Sequence, residues 1–334
     1  MPNVDFDIAQ AARRIVEGSL GVVAGDRVVI MVDAPRVPLG AALVEAASAV
    51  GGRPELVQLD VLGRRPVSRL PQSLRDRLAD AQATVLLVSF EDGEWAMRAD
   101  VIAAVGDLDL RHAHMVGLGR RAFLTGFSVD PQRILDVTRA VRMRLRPDSV
   151  FELRSQAGSH VQVRLDPRCR WQERVGLIRP GRWENLPSGE LFTCPADVNG
   201  TFVADGCMGA HIGARFGLLD GNPVRLEIKA GVVRSIHCAD RAVAAAFDAF
   251  VHAERGGDRV GMVILGTNVG IHELTGEIIC DQNLPGLHLG FGATFPAQTG
   301  ASWDAATQIS LTATGADVDL DGAPLLRNGR YLVL

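Results

Sequence analysis

Two short motifs in the first half of the chain have residue types and spacings that could support chemistry. His112 and His114 are separated by one residue, so on a β-strand both imidazoles lie on one face, and such a pair can bind zinc. We interpret them as ordinary residues of a sheet. Residues 117–122 match the loose GxGxxA pattern of dinucleotide binding. That pattern normally follows the first strand of a domain, whereas this one follows the fourth, so we interpret it as a chance match.

Four segments in the second half carry the more informative residues. They are residues 184–195 (ENLPSGELFTCP), 260–265 (VGMVIL), 281–292 (DQNLPGLHLGFG) and 302–304 (SWD). In their order along the chain and in their residues, these segments resemble the aminopeptidase T and aminopeptidase S family of metallopeptidases. Relatives of that family include an iron-dependent dihydroxypyridine dioxygenase. Residues 25–54 and 318–332 resemble the same family. The resemblance therefore covers most of the chain.

The resemblance implies a site with two metal ions, and four of its positions have lost their chemistry. Two cations about 3.5–4 Å apart need several carboxylate and imidazole ligands, and a base that takes a proton from water. Met262 stands where the family has a bridging glutamate, and Gln282 where it has the catalytic glutamate. Phe295 replaces a catalytic tyrosine, and Ser302 replaces a histidine ligand. We therefore expect no catalytic residue at these positions.

Three positions of the implied site keep a group that can bind a metal, namely Glu190, His288 and Asp304. With His272 they could form a set of two histidines and a carboxylate, the pattern of mononuclear iron oxygenases. His272 can also be a loop histidine on a polar turn, and we prefer this interpretation. We expect no cofactor and no metal; the alternative is one divalent ion, Zn, Fe, Mn or Co.

Aromatic and charged residues near these segments indicate a ligand-binding surface. Trp183 and Trp303 suit apolar side chains of a peptide, although each can also belong to the core. Arg182 lies beside Trp183, where it can orient a peptide terminus or form part of a solvated loop. Together with Glu190, these are the residues that we expect to contact a ligand.

Alternating strand and helix patterns predict the elements that position these residues. In residues 1–146, apolar runs at 27–32, 56–61, 84–90 and 113–118 alternate with helical patterns. This predicts an α/β, Rossmann-like domain with a mainly parallel sheet. In residues 147–334, short strands between glycine turns predict an α+β domain rich in antiparallel strands, with one clear helix at 241–254. The resemblance places the former metallopeptidase site in this second, aminopeptidase T-like domain.

The composition restricts the classes of function. The 334 residues are 47% hydrophobic and 22% charged with a net charge of −4, which fits a folded protein and indicates no nucleic-acid partner. No apolar run reaches the roughly 18–20 residues that span a membrane. The N-terminus also lacks the basic region of a signal peptide. Five cysteines without a CxxC pair are typical of reduced thiols in a cytoplasmic protein.

These observations predict a peptide-binding protein derived from a metallo-aminopeptidase whose hydrolytic centre is lost. Such a pseudoenzyme would be a homodimer and would present a precursor peptide to partner enzymes of a biosynthetic pathway. The alternative is a metal-dependent enzyme, either an aminopeptidase or other hydrolase with an altered site or a mononuclear iron dioxygenase. Stoichiometric metal in the purified protein would favour the enzyme.

Overall fold

The computed structural model describes residues 4–332, which form two compact units. The first unit contains the chain up to Arg133 together with Val175–Ser188, and the second contains Ile134–Arg174 and the chain from Gly189 onward. The sequence pattern places residues 175–188 in the second domain. They belong to the first unit because a strand within them pairs with its sheet.

The helices and strands alternate regularly in the first part of the chain. Up to residue 142 they are α1 (Val4–Arg13), β1 (Arg27–Val32), α2 (Val37–Ala49), β2 (Arg53–Gln58), α3 (Leu59–Leu62), α4 (Gln72–Ala79), β3 (Ala83–Leu87), α5 (Trp95–Asp107), β4 (Arg111–His114), α6 (Arg120–Gly126) and α7 (Pro131–Arg142). Helix α1 continues into a π-helical turn, Arg14–Ser19, and a 3-10 turn, Ala34–Arg36, precedes α2.

Strands dominate the rest of the chain. In order, the elements are β5 (Val150–Arg154), β6 (His160–Leu165), β7 (Gln172–Arg174), β8 (Arg182–Asn185), β9 (Glu190–Thr193), β10 (Pro195–Ala204), α8 (Ala210–Phe216), β11 (Val224–Lys229), β12 (Val232–His237), α9 (Arg241–Val251), β13 (Val260–Gly266), α10 (Ile278–Asp281), β14 (Gly286–Gly292), α11 (Pro296–Thr299), β15 (Gln308–Leu311), β16 (Asp317–Leu320), β17 (Ala323–Arg327) and β18 (Arg330–Tyr331).

The first unit is built on a parallel sheet of five strands in the order β2-β1-β3-β4-β8. All five residues of β3 are buried, as are five of the six in β1. Such continuous apolar strands are typical of a parallel sheet with both faces covered. Strand β4 ends at His114, earlier than its apolar pattern predicts, because residues 115–119 form the turn that leads into α6.

The second unit contains two antiparallel sheets. One has eight strands in the order β12-β11-β10-β6-β5-β16-β17-β18, and the other has five in the order β15-β14-β13-β9-β7. Their shared apolar core includes the fully buried rings of Phe151, Phe202, Phe247 and Phe291. The prediction of an α/β protein with both a parallel sheet and antiparallel strands is therefore confirmed. In residues 4–332, no helix has the length and apolar character that crossing a membrane requires.

Candidate functional site

The five-stranded antiparallel sheet brings several residues of the four informative segments onto one face. Directly paired residues point to the same side of a sheet, as do residues two apart on one strand. Ile264 pairs with Phe192 on one side and His288 on the other, Met262 pairs with Gly290, and Gly266 pairs with Glu190. We call this surface the site face; its residues are Glu190, Phe192, Met262, Ile264 and His288.

Met262 lies in an apolar cluster on the site face. It is 4% exposed and packs with Phe192 and Ile264 in a group separate from the main core. Gly290 leaves room for it, because a Cβ at that position would stand 2.7 Å from the Met262 Cε atom. The position where the resemblance implies a bridging carboxylate therefore carries a buried thioether among apolar neighbours.

Both ring nitrogens of His288 already have backbone partners. Its Nε2 lies 2.9 Å from the Leu284 carbonyl oxygen, and its Nδ1 lies 3.3 Å from the Ala313 amide nitrogen. The backbone amide can only donate, so Nδ1 accepts, Nε2 carries the proton and donates, and the ring is neutral. Complete burial lowers the pKa of His288 to about 4. This imidazole could bind a metal only by giving up a backbone hydrogen bond.

Glu190 begins β9 at the partly exposed end of the site face. Arg174 of β7 is its paired residue, so a carboxylate and a guanidinium lie on neighbouring strands of the same face. The Arg174 guanidinium also lies 5.9 Å from the centre of the Phe192 ring and donates to the Gln298 side-chain oxygen at 2.7 Å. Opposite charges therefore stand beside the apolar cluster.

Phe295 forms the exposed border of that cluster. Its ring is 37% exposed and meets the Phe192 ring edge-on, with 6.2 Å between the centres. The backbone of Phe295 is left-handed, with φ of 53°. The neighbouring amide of Thr294 donates to the Asp304 Oδ1 atom at 2.8 Å, which ties this turn to residue 304. Asp304 is thus exposed but already used in a turn.

The remaining positions of the 302–304 and 281–292 segments lie at the surface or in loops. Ser302 is exposed, and the Trp303 ring is partly exposed, with the Arg259 guanidinium 4.0 Å from its centre. Gln282 is partly buried and ends α10. Its neighbour Asp281 is fully buried, which raises the pKa of its carboxyl group.

Asp281 has a structural task that the sequence did not reveal. Its carboxylate accepts hydrogen bonds from the Thr275 amide at 2.8 Å, the Thr275 hydroxyl at 2.7 Å and the Gly276 amide at 2.8 Å. These bonds hold the loop before α10 in place. The bonded groups lie five and six residues from Asp281, beyond the usual local side-chain-to-backbone patterns, so the sequence carries no signal for this task.

His272 lies on an exposed loop and does not join the residues of the site face. It lines a separate cleft on the second unit together with Glu273 and Arg330. Across residues 4–332, no three His, Cys, Asp or Glu side chains are grouped so that they could hold a metal ion. The four metal candidates of the sequence therefore do not converge in this structure.

Comparison with solved structures identifies the architecture around the site face. The chain superposes on AmpT from Thermus thermophilus with a TM-score of 0.68 and 15% identity, over 98% of this chain and 99% of that one. It has an aminopeptidase T-like fold. A second neighbour is 2,5-dihydroxypyridine dioxygenase from Pseudomonas putida KT2440. It superposes with a TM-score of 0.67 and 17% identity, over 97% of this chain and 96% of that one. No protein-family profile and no curated protein matches the chain.

Within this aminopeptidase T-like fold, two of the predicted ligand-binding residues lie on the first unit. Arg182 and Trp183 are on β8, whereas the site face belongs to the second unit. Arg182 is exposed, and the Trp183 ring meets His114 edge-on at 5.7 Å between centres. Trp183 also packs against the core beside α5. Its ring therefore contributes to the packing of the first unit.

His112 and His114 of β4 contact each other inside the first unit. Their rings are joined by a hydrogen bond of 3.2 Å between His112 Nε2 and His114 Nδ1. The Arg98 Nε donates to His114 Nε2 at 3.1 Å, so His114 donates from Nδ1 to His112. Burial lowers the pKa of His112 to about 3 and that of His114 well below its ordinary value. The pair is neutral and is part of the sheet packing.

Proposed function

We propose that this protein binds a peptide on the site face and does not hydrolyse it. The observation that carries the proposal is the buried apolar cluster of Phe192, Met262 and Ile264, at the place where the resemblance implies a metal-bridging carboxylate. A hard divalent cation needs oxygen or imidazole ligands, and a thioether among apolar side chains offers neither. The exposed Phe295 ring at the border of this cluster offers the surface that an apolar peptide side chain can reach.

The groups around the cluster also lack the chemistry of hydrolysis. Peptide hydrolysis needs a base for the attacking water and an electrophile for the carbonyl oxygen. Gln282 has a side-chain amide, which cannot accept a proton at ordinary pH. His288 is neutral, buried and bonded at both nitrogens. The described residues therefore do not fit a two-metal centre, and we derive no step through a metal.

The arrangement of charge and exposure supports recognition of an extended apolar peptide. Phe295, partly exposed beside Phe192, can contact an incoming side chain, as aromatic residues commonly do at binding surfaces. Arg174 and Glu190, paired on neighbouring strands, offer a donor and an acceptor for the polar groups of the ligand's backbone. Trp303, held by Arg259 next to Asp304, extends the aromatic surface that we propose.

The proposal is tested by fluorescence anisotropy with a tetrapeptide of leucine and phenylalanine that is blocked at both ends and carries a dye. Phe295→Asp should raise its Kd at least about tenfold, because loss of an aromatic hot-spot anchor costs about 2 kcal/mol or more. Met143→Asp is the matched control, since Met143 is 82% exposed and outside the site face. Binding that is absent in the wild type, or equal in both variants, would refute the proposal.

A metal-dependent enzyme is the second candidate, and the likeness to a dioxygenase together with the partly exposed Glu190 favours it. The test is elemental analysis of the purified protein and of a Glu190→Gln variant. Stoichiometric Zn, Fe, Mn or Co that disappears in the variant would establish this candidate in place of peptide binding alone.

We further propose a cytoplasmic homodimer that presents a precursor peptide to partner enzymes. Co-purification of such an enzyme only in the presence of peptide would test this role.

A further inference from the structure

A cleft of about 570 Å³ opens on the second unit. Its lining includes His272, Glu273, Leu274, Leu284, Pro285 and Arg330, and none of the site-face residues is among those that line it. Clefts that hold small molecules are commonly about 300–1,000 Å³ and combine apolar walls with a few polar groups. We infer that this cleft is a second binding site, for a small zwitterion with apolar side chains such as an apolar dipeptide.

Side-chain hydrogen bonds from Tyr331 and His288 hold the walls of the cleft in place. The Tyr331 hydroxyl, in a buried side chain, donates to the Gly266 carbonyl oxygen at 2.8 Å, which joins β18 to the end of β13. His288 bonds to the Leu284 carbonyl and to the Ala313 amide, whose neighbours Pro285 and Thr314 also line the cleft. The cleft is therefore braced by side-chain bonds from two strands.

The histidine of the former metal set acts here as a positioning residue. Its two backbone bonds connect the loop before β14 to the segment after β15, and both segments form walls of the cleft. A neutral imidazole with one donor and one acceptor is suited to bridging a carbonyl and an amide. This positioning role explains why His288 is buried and directs both ring nitrogens to backbone groups.

The charged side chains that line the cleft indicate which class of ligand it binds. Arg330 is exposed, and within residues 4–332 its guanidinium forms no ion pair, whereas its paired residue Arg327 contacts Asp319 at 2.6 Å. Glu273 supplies an exposed carboxylate on the same lining. A guanidinium binds a carboxylate through two parallel hydrogen bonds, and a carboxylate binds an ammonium. Leu274, Leu284 and Pro285 provide apolar contact between these groups.

The test is calorimetric titration of the full chain with three probes. They are the dipeptide leucyl-phenylalanine, its N-acetyl derivative, which lacks the ammonium, and its C-terminal amide, which lacks the carboxylate. We expect Arg330→Gln to raise the Kd of the dipeptide and the acetyl derivative about tenfold or more, and to leave the amide unchanged. Glu273→Gln should weaken the dipeptide and the amide, and leave the acetyl derivative unchanged.

Matched controls separate this site from the site face. Arg234→Gln and Glu254→Gln remove exposed charges outside the cleft and should leave every Kd unchanged. The blocked tetrapeptide carries neither terminal charge, so its Kd should be unchanged in Arg330→Gln and Glu273→Gln, and failure of the site-face proposal and failure of this one are distinguishable. The inference is overturned by absence of dipeptide binding at millimolar concentration or by unchanged Kd values in both cleft variants. It is also overturned if Arg330→Gln abolishes self-association, because a second copy then covers the cleft.

Discussion

At the scale of single residues, Met262 and His288 define what the site face can do. Met262 is buried in apolar surroundings, and His288 is neutral and bonded to two backbone groups. A charged group at either position would lose its hydration without gaining a partner, which is costly inside a protein. Met262 and His288 therefore bring no charge to the site face.

Met262→Glu should lower the stability of the protein and should not create peptidase activity. The new carboxylate would be buried beside Phe192 and Ile264, so we expect a loss of about 2–4 kcal/mol in the free energy of unfolding at neutral pH. Burial raises the pKa of such a carboxyl, so the loss should shrink as the pH falls through that raised value. Denaturant unfolding measures both effects.

The control for this variant is Met262→Leu, which keeps the volume and should cost less than about 1.5 kcal/mol. Melting in the presence of a chelator and of zinc or cobalt completes the test. If Met262→Glu melts far higher with metal than with chelator, a metal site already exists around this position. Peptide binding without hydrolysis would then be the wrong account of the site face.

His288 should make the stability of the protein depend on pH. The unfolded chain binds a proton on this residue near the ordinary pKa of about 6.5, whereas the folded protein binds it only near 4. Acidification therefore favours the unfolded state, and the free energy of unfolding falls as the pH drops from about 6.5 to about 4. The contribution of this one group is about 3 kcal/mol.

Unfolding of His288→Gln as a function of pH tests this contribution. The variant should show a smaller fall in stability over the same range, although it is less stable at pH 7. His160→Gln changes an exposed histidine and should keep the slope of the wild type. An unchanged slope in His288→Gln would show that His288 titrates normally in the folded protein.

At the scale of elements, the pairing of β13 with β14 shapes the site face. The two strands are antiparallel, with an irregularity between Val260 and Met262, and Gly290 is the residue paired with Met262. Added bulk at Gly290 would meet the methionine directly, because its Cβ would lie 2.7 Å from Met262 Cε and 3.2 Å from Met262 Cβ. The apolar cluster thus depends on a glycine of the neighbouring strand.

Gly290→Ala should destabilise the protein by about 1–2 kcal/mol through overpacking. Met262→Ala in the same chain should relieve the contact, so the combined loss should be smaller than the sum of the two single losses. Gly106→Ala is the control, since no atom lies within 4 Å of a Cβ at that helical position. Additive losses in the double variant would show that the two residues do not compete for space.

At the scale of the whole molecule, a parallel sheet and two antiparallel sheets form an aminopeptidase T-like fold. A fold can keep its architecture while its site changes, because packing and chemistry depend on different residues. On the site face, Phe192, Met262 and Ile264 are apolar and His288 is neutral, so the sheet packs there with little buried charge.

We expect no hydrolysis of leucine anilide or short peptides by the whole protein with added cobalt, zinc or manganese. The reason is the joint loss of carboxylate, base, hydroxyl and imidazole at Met262, Gln282, Phe295 and Ser302. A turnover in the ordinary enzyme range, about 1 per second or more, on any of these substrates would contradict this. The measurement is a chromogenic assay with a metallo-aminopeptidase as positive control.

The protein in solution should be a homodimer of twice 35.7 kDa, because the glycine-rich second part leaves strand edges that favour coverage. Sedimentation velocity at several concentrations measures the mass of the species. A single species of 35.7 kDa throughout the range would refute the prediction.

The sequence by itself determined most of the kinds of element that form, but not their ends. The run at 56–61 predicts a strand, whereas β2 ends at Gln58 and Leu59–Leu62 is helical. Runs such as Val28–Val32 and Val260–Leu265 are apolar throughout, and a buried strand is the local structure that such runs favour. The side-chain types in the four informative segments were equally readable, since Met262 and Gln282 are neutral in any conformation. These features are local, so neighbouring residues are enough to predict them.

Only the tertiary structure decided where the side chains of the site point. Strand β8 joins the first sheet through β4, about 70 residues earlier in the chain, so Trp183 belongs to the first unit. His288 turns to Leu284 and Ala313, and His272 lines a cleft with Arg330; these partners come from separate loops and strands. Such contacts depend on strand register and on loops that are distant in sequence, so no local pattern encodes them.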